Sequence, residues 1–195
     1  MAQHIDDVVT ADIPKVSKRD FWFELRSGDL IFCQGKEAIS VAIESQTKSP
    51  FSHVLQTWLP PDLNKWLTLE STFEHGVHVG KLSDYIDSYP GHLVLCRRPK
   101  LTLDDIREIQ RKFLTILDDG YNWRSEVGIA AHKLLDCLPV IEPKGEYYCS
   151  GAQYFASMAV APALKRPSPL WLPTPEDNYT DPSVEAVCCL LEGSE

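Results

Sequence analysis

The chain has 195 residues, of which 44% are hydrophobic and 24% charged, with a formal net charge of -9. That length supports one sizeable domain with its own core, and the composition is ordinary for a soluble globular protein. The acidic balance argues against bulk electrostatic binding to nucleic acid or anionic membrane surfaces, and no apolar run approaches the roughly 20 residues that a membrane helix needs.

Residues Met1 to Asp20 carry Asp6, Asp7, Asp12 and Asp20 and lack the apolar core of a secretory signal. The expectation is a cytoplasmic protein with no nucleic-acid partner and no stable membrane insertion; export by a signal-independent route would leave no such mark. Six cysteines (Cys33, Cys96, Cys137, Cys149, Cys188 and Cys189) form no spaced framework, so reduced thiols are expected.

Residues 1–20 read as a polar lead-in, and 21–195 as one domain. Phe21 to Leu25 supplies apolar anchors. Arg26-Ser27-Gly28-Asp29 reads as a turn, followed by an apolar strand at Leu30 to Cys33. Ala38, Ile39, Ala42 and Ile43 give a helix over Glu37 to Thr47, ended before Ser49-Pro50. Strands are then predicted at His53 to Leu59, Trp66 to Thr72, Gly76 to Gly80 and His92 to Cys96, with a short helix over Leu82 to Asp87.

The second half changes period. Thr102 with Asp105 at the third helical position makes a capping pair, and Ile106, Ile109, Gln110, Phe113 and Leu117 continue a helix towards a stop at Gly120. A further helix is expected from Val127 to Leu138, then one from Cys149, whose buried face is Ala152, Phe155, Ala156 and Ala159. A proline-rich segment, 162–182, follows, and Val184 to Leu191 is an apolar run that fits strand or helix. Strands mostly preceding helices, without internal repeat, make an α+β domain.

Cys149 carries the most chemistry. A thiol at the first turn of a helix feels the positive end of the backbone dipole, which favours the nucleophilic thiolate; the alternative is a buried structural cysteine. A cysteine nucleophile needs a base and a group to orient that base. His53, at a strand start after Pro50, is the candidate base. Glu70, a carboxylate inside an apolar strand on the face shared by Trp66 and Thr68, is the candidate orienter. If 53–59 and 66–72 form a hairpin, the loop midpoint pairs residue 53 with about residue 71 or 72 and brings Glu70 near His53. His75 and His78, three apart, are expected on opposite strand faces, and Cys188-Cys189 lacks a second pair at zinc spacing, so neither predicts a metal site. No phosphate loop and no dinucleotide fingerprint occur, and no cofactor is expected.

The chain order His53, Glu70, Cys149, preceded by Gly28-Asp29-Leu30-Ile31-Phe32, resembles the circularly permuted papain-like amidases of the NlpC superfamily, the YiiX-like group. Ser52-His53-Val54, Leu69-Glu70-Ser71, Leu82-Ser83-Asp84-Tyr85, Val94 to Arg98, Tyr121-Asn122-Trp123 and Tyr147-Tyr148-Cys149-Ser150 are similar to its successive motifs, over roughly residues 25 to 160. Gly151-Ala152 departs from the acidic and aliphatic residues common there and bears on the substrate pocket.

The resemblance implies a permuted papain-like fold, a small antiparallel sheet packed against helices, with Cys149 at a helix N-terminus facing His53. It implies a cysteine amidase or peptidase acting on a small peptide or amide, a cell-wall peptide among the candidates. Cys149 would be the nucleophile, His53 the base and Glu70 the orienter; the Cys149 N–H and the Tyr148 side chain would be candidate oxyanion donors. The alternatives are an acyltransferase or thioesterase of the lecithin–retinol acyltransferase type, and a binding module without turnover.

Overall fold

The computed structural model of the chain describes residues 12–47, 49–120, 149–157, 175–191 and 193. Their strands are β1 (Lys15–Val16), β2 (Leu30–Gly35), β3 (His53–Trp58), β4 (Leu67–Thr72), β5 (Gly76–Lys81), β6 (Gly91–Arg97) and β7 (Glu185–Leu190). The helices are α1 (Lys18–Glu24), α2 (Ala38–Thr47), α3 (Leu82–Ser88), α4 (Leu103–Leu114), α5 (Cys149–Ser157) and α6 (Pro175–Tyr179). The strands form one sheet in the order β1-β7-β6-β2-β3-β4-β5, antiparallel throughout except for β1 beside β7. The architecture is α+β.

Central strand β2 is buried along its whole length, which is why it reads as an apolar run without alternation. Its Ile31 and Cys33 join Leu55, Leu93, Leu95, Cys188 and Leu190 on one face, covered by Phe21 and Leu25 from the α1 segment and by Leu82 and Ile86 of α3. Leu30 and Phe32 join Val54, Val94, Cys96 and Cys189 on the other, where Phe51 packs at a tilt and Tyr179 edge-on against Phe32. Adjacent Cys188 and Cys189 thus enter opposite faces, as strand alternation requires. Further along the second face, Leu69 and Val77 pack under Ile109 and Phe113 of α4 and Ala152 and Ala156 of α5.

The start of β2 and the end of β6 are fastened by a fork. Arg97 donates from Nε to Asp29 Oδ1 at 2.7 Å and from Nη2 to Oδ2 at 2.8 Å, and the Arg26 N–H donates to the same carboxylate.

The expected capping of α4 is present: the Asp105 N–H donates to Thr102 Oγ1 and the Thr102 N–H to Asp105 Oδ2. The helix ends at Leu114, not at Gly120. Asp118 adopts a left-handed φ of 66°, and the chain turns back so that the Asp118 N–H donates to Val77 O and the Val77 N–H to Asp119 O. Pairing to β5, a long-range contact, overrides the helical periodicity. The undecided run near the C-terminus is strand β7, settled by its register with β6.

Ordered elements also begin within the expected lead-in: Lys15 and Val16 pair with Cys189 and Leu190, and Ser17 caps α1. Of the anchors in α1, Phe21 is buried while Phe23 is exposed. The helix expected at 127–138, the Tyr121-Asn122-Trp123 motif and most of the proline-rich segment lie outside the described residues.

Candidate functional site

The hairpin of β3 and β4 sets Gln56 opposite Leu69, Thr57 opposite Thr68 and Trp58 opposite Leu67. Continued to the start of β3, this register puts His53 opposite Thr72, in agreement with the loop-midpoint expectation. Glu70 lies two residues from Thr72 and shares its face. The side chains meet: His53 Nε2 is 3.0 Å from Glu70 Oε2.

Glu70 is 1% exposed and fully engaged. Its Oε1 accepts the Thr68 hydroxyl, and Oε2 accepts the Tyr85 hydroxyl as well as facing His53. Tyr85 OH is also 3.3 Å from His53 Nε2, and His78 Nε2 is 3.9 Å from Glu70 Oε1. Beside them Gly80 leaves no room for a side chain, since a Cβ there would lie 2.4 Å from Thr68 Oγ1 and 2.5 Å from Glu70 Oε1.

Burial alone would push the Glu70 carboxyl up. The His53 hydrogen bond and charge, then the Thr68 and Tyr85 hydroxyls, outweigh it and hold the carboxyl below the usual range. Burial, then the Glu70 charge, push the Tyr85 phenol far up, so it is a hydroxyl donor at any working pH. With a carboxylate against Nε2, that nitrogen carries the hydrogen and Nδ1 becomes the atom for proton exchange, a tautomer assigned from the hydrogen-bond pattern. His53, Tyr85 and Tyr89 also form a ladder of stacked rings, with centroids 6.0 and 5.7 Å apart.

This cluster lines a cleft of about 900 Å3, whose walls include Lys65, Glu74, His75, His78 and Asp84. The walls are mixed in charge and carry apolar side chains, Ile43, Leu67 and Val79 among them, beside the polar ones.

Cys149 opens α5, which packs on the opposite sheet face from His53 and Glu70, under Leu69 and Val77. Among its described side chains, two bonds orient this helix. Gln153 donates from Nε2 to Leu69 O at 2.7 Å in mid-strand, and Ser157 Oγ accepts from Arg98 at the end of the sheet remote from His53. One turn back from Gln153, Cys149 lies towards the end where β3 begins. An approach from Cys149 to His53 therefore runs round the start of β3 and not across a shared face. The Cys149 side chain and all of Tyr148 lie outside what is described. The structure thus brings His53 and Glu70 together and gives no contact for the other two candidates.

His75 and His78 correct the strand-face expectation. Their rings meet edge to face with centroids 5.2 Å apart, because His75 belongs to the turn before β5 and escapes strand alternation. Tyr85 and His78 were not singled out as site residues by sequence. Tyr85 reaches Glu70 from a separate helix, so no local spacing signals it; His78 follows from the register that places it opposite Glu70. Thr68 was placed on the Glu70 face by alternation alone, which did not reveal its hydrogen bond.

No family model matches this sequence, and no curated protein matches it. Among solved structures, the chain is similar to metalloprotein yiiX from Escherichia coli O157:H7, with a TM-score of 0.61 over 84% of this chain and 96% of that one, at 16% identity. The likeness is one of fold: the chain has a YiiX-like fold.

Proposed function

We propose that this protein is a thiol hydrolase that cleaves an amide or peptide bond, with Cys149 as nucleophile, His53 as base and Glu70 as orienter, in a circularly permuted papain-like arrangement of the NlpC superfamily. The observation that carries the reading is the His53–Glu70 pair: a buried carboxylate fixed on Nε2 of a histidine that opens onto a cleft. Such a pair presents Nδ1 as a base and stabilises the imidazolium that forms.

The Cys149 thiol gives its proton to His53 Nδ1 as sulfur attacks the carbonyl carbon. The C–N bond breaks, the leaving nitrogen takes that proton, and a thioester remains. Water then attacks with His53 accepting its proton, and the proton returns to sulfur as the acid departs. The Cys149 N–H and the Tyr148 side chain are the proposed oxyanion donors.

We read the substrate as a small peptide or amide, whose polar groups would meet Lys65, Glu74, Lys81 and Asp84 on walls that also carry Ile43, Leu67 and Val79. The similar structure is that of a metalloprotein. Among the described residues here, no three His, Cys, Asp or Glu side chains converge as ligands, and Glu70 is saturated by hydroxyls and His53. The proposed steps therefore use His53 and Glu70 as hydrogen-bonded groups.

Acid-quenching the protein with peptidyl esters, and separately with phospholipid vesicles, followed by peptide mass analysis, tests the substrate class. A peptide-derived acyl mass on the Cys149 fragment is expected. A fatty-acyl mass there would instead assign an acyltransferase, and no adduct from any ester would favour a binding module.

A further inference from the structure

Two groups converge on one oxygen of Glu70. His53 Nε2 is 3.0 Å from Oε2, and the Tyr85 hydroxyl donates to that same atom while lying 3.3 Å from the imidazole nitrogen. Tyr85 is held for this purpose from two sides. Its ring stacks on Tyr89 and lies parallel to His53 at an interplanar angle of 7°, and its helix is anchored by buried Leu82 and Ile86. The carboxylate is held in place, because Thr68 donates to Oε1 and the missing side chain of Gly80 leaves the space that the carboxylate fills.

We propose that Tyr85 is a positioning residue that competes with His53 for Glu70 Oε2, and so sets how much negative charge the imidazole meets and at what pH His53 gives up its proton. A hydroxyl donating to a carboxylate disperses part of its charge. With the hydroxyl in place, Glu70 orients the ring without holding it permanently as imidazolium. Without it, the undiluted carboxylate would bind the imidazolium more tightly.

Among the described side chains, few titratable or charged groups face His53. Glu70 comes from β4, His78 from β5 through Glu70, Tyr85 and Tyr89 from α3 and its end, and Cys33 from β2, opposite His53 in the register. Glu37, ahead of α2, lines the same cleft. Tyr85 and Glu70 meet Nε2 directly.

The proposal rests on the site of the proposed hydrolase but not on Cys149 being reactive, so it is tested without substrate. The ring signals of His53, assigned by their loss in His53→Gln, are titrated by NMR in the full chain. Tyr85→Phe is expected to move the midpoint upward and Glu70→Gln to move it downward. In the Glu70→Gln background, Tyr85→Phe is expected to have no effect.

A purely structural role would not give opposite directions from two sides of one carboxylate. Should Tyr85→Phe fail to fold, 3-fluorotyrosine placed at position 85, a stronger donor of nearly the same shape, is expected to lower the midpoint. An unmoved or lowered midpoint in Tyr85→Phe, an unmoved or raised one with 3-fluorotyrosine, or a Tyr85→Phe effect that persists without the Glu70 charge, overturns the proposal. Loss of hydrolysis on its own would strike only at the proposed function.

Discussion

Replacing Cys149 with alanine is expected to abolish amide hydrolysis, lowering kcat/KM by about a thousandfold or more, while the protein stays folded. The first half follows from the proposed covalent step: without sulfur there is no thioester, and His53 and Glu70 have no nucleophile to activate. The second follows from how α5 is held. Among its described side chains, Ala152, Phe155 and Ala156 pack against the sheet side and Gln153 and Ser157 make hydrogen bonds. Alanine is also the best helix former, so the first turn tolerates it. Circular dichroism and thermal melts check the fold beside the rate assay. Retained turnover in a well-folded variant would remove Cys149 from the mechanism.

Glu70→Ala is expected to cost about 3–5 kcal/mol of stability, the range for removing one partner from a buried charge pair. The loss leaves His53 without its carboxylate and the Thr68 and Tyr85 hydroxyls without their acceptor. Glu70→Gln keeps the volume and is expected to cost less, about 1–3 kcal/mol, yet to slow hydrolysis by roughly 10²–10⁴-fold by losing control of the imidazole tautomer.

The pH dependence separates charge from packing. The folded Glu70 carboxyl lies below the ordinary glutamate value of 4.5. Its contribution is therefore fully present above 4.5 and is lost as pH falls through the lower folded value. Urea unfolding of the natural protein should show that acid slope, and Glu70→Gln should lack its share of it. An identical slope in both would mean that Glu70 is not held as a charged group.

Much of the candidate site's geometry is legible in the sequence because hairpin register is simple arithmetic. The Pro60 to Lys65 loop sets a midpoint that pairs residue 53 with about residue 71 or 72, and the register of the structure is the second of these. Strand alternation then puts Glu70 on the correct face. The same local rules found the start of α4 from Thr102 and Asp105 but overran its end, where Asp118 and Asp119 leave the helix to bond Val77. They also missed β1, whose two residues carry no period and exist only because β7 lies alongside.

Tyr85 escaped for a related reason. Its partner is 15 residues away on a different element, and only the docking of α3 on the sheet reveals it. The expectation that Cys149 faces His53 came from family resemblance. The described geometry adds that α5 occupies the far face, with Cys149 towards the β3 start.

The central claim, a thiolate activated by His53, is tested most directly by the rate at which iodoacetamide alkylates each cysteine at neutral pH, read by peptide mass analysis. The other described cysteines give a quiet background. Cys33 is fully buried, burial pushes Cys96 far up, and burial raises Cys188 to about 12 and Cys189 to about 11. The account predicts fast labelling of Cys149 that drops at least about tenfold in His53→Ala, as expected for a thiol whose thiolate depends on a paired base. Slow labelling of Cys149 in the natural protein, or a rate unchanged by removing His53, would contradict it.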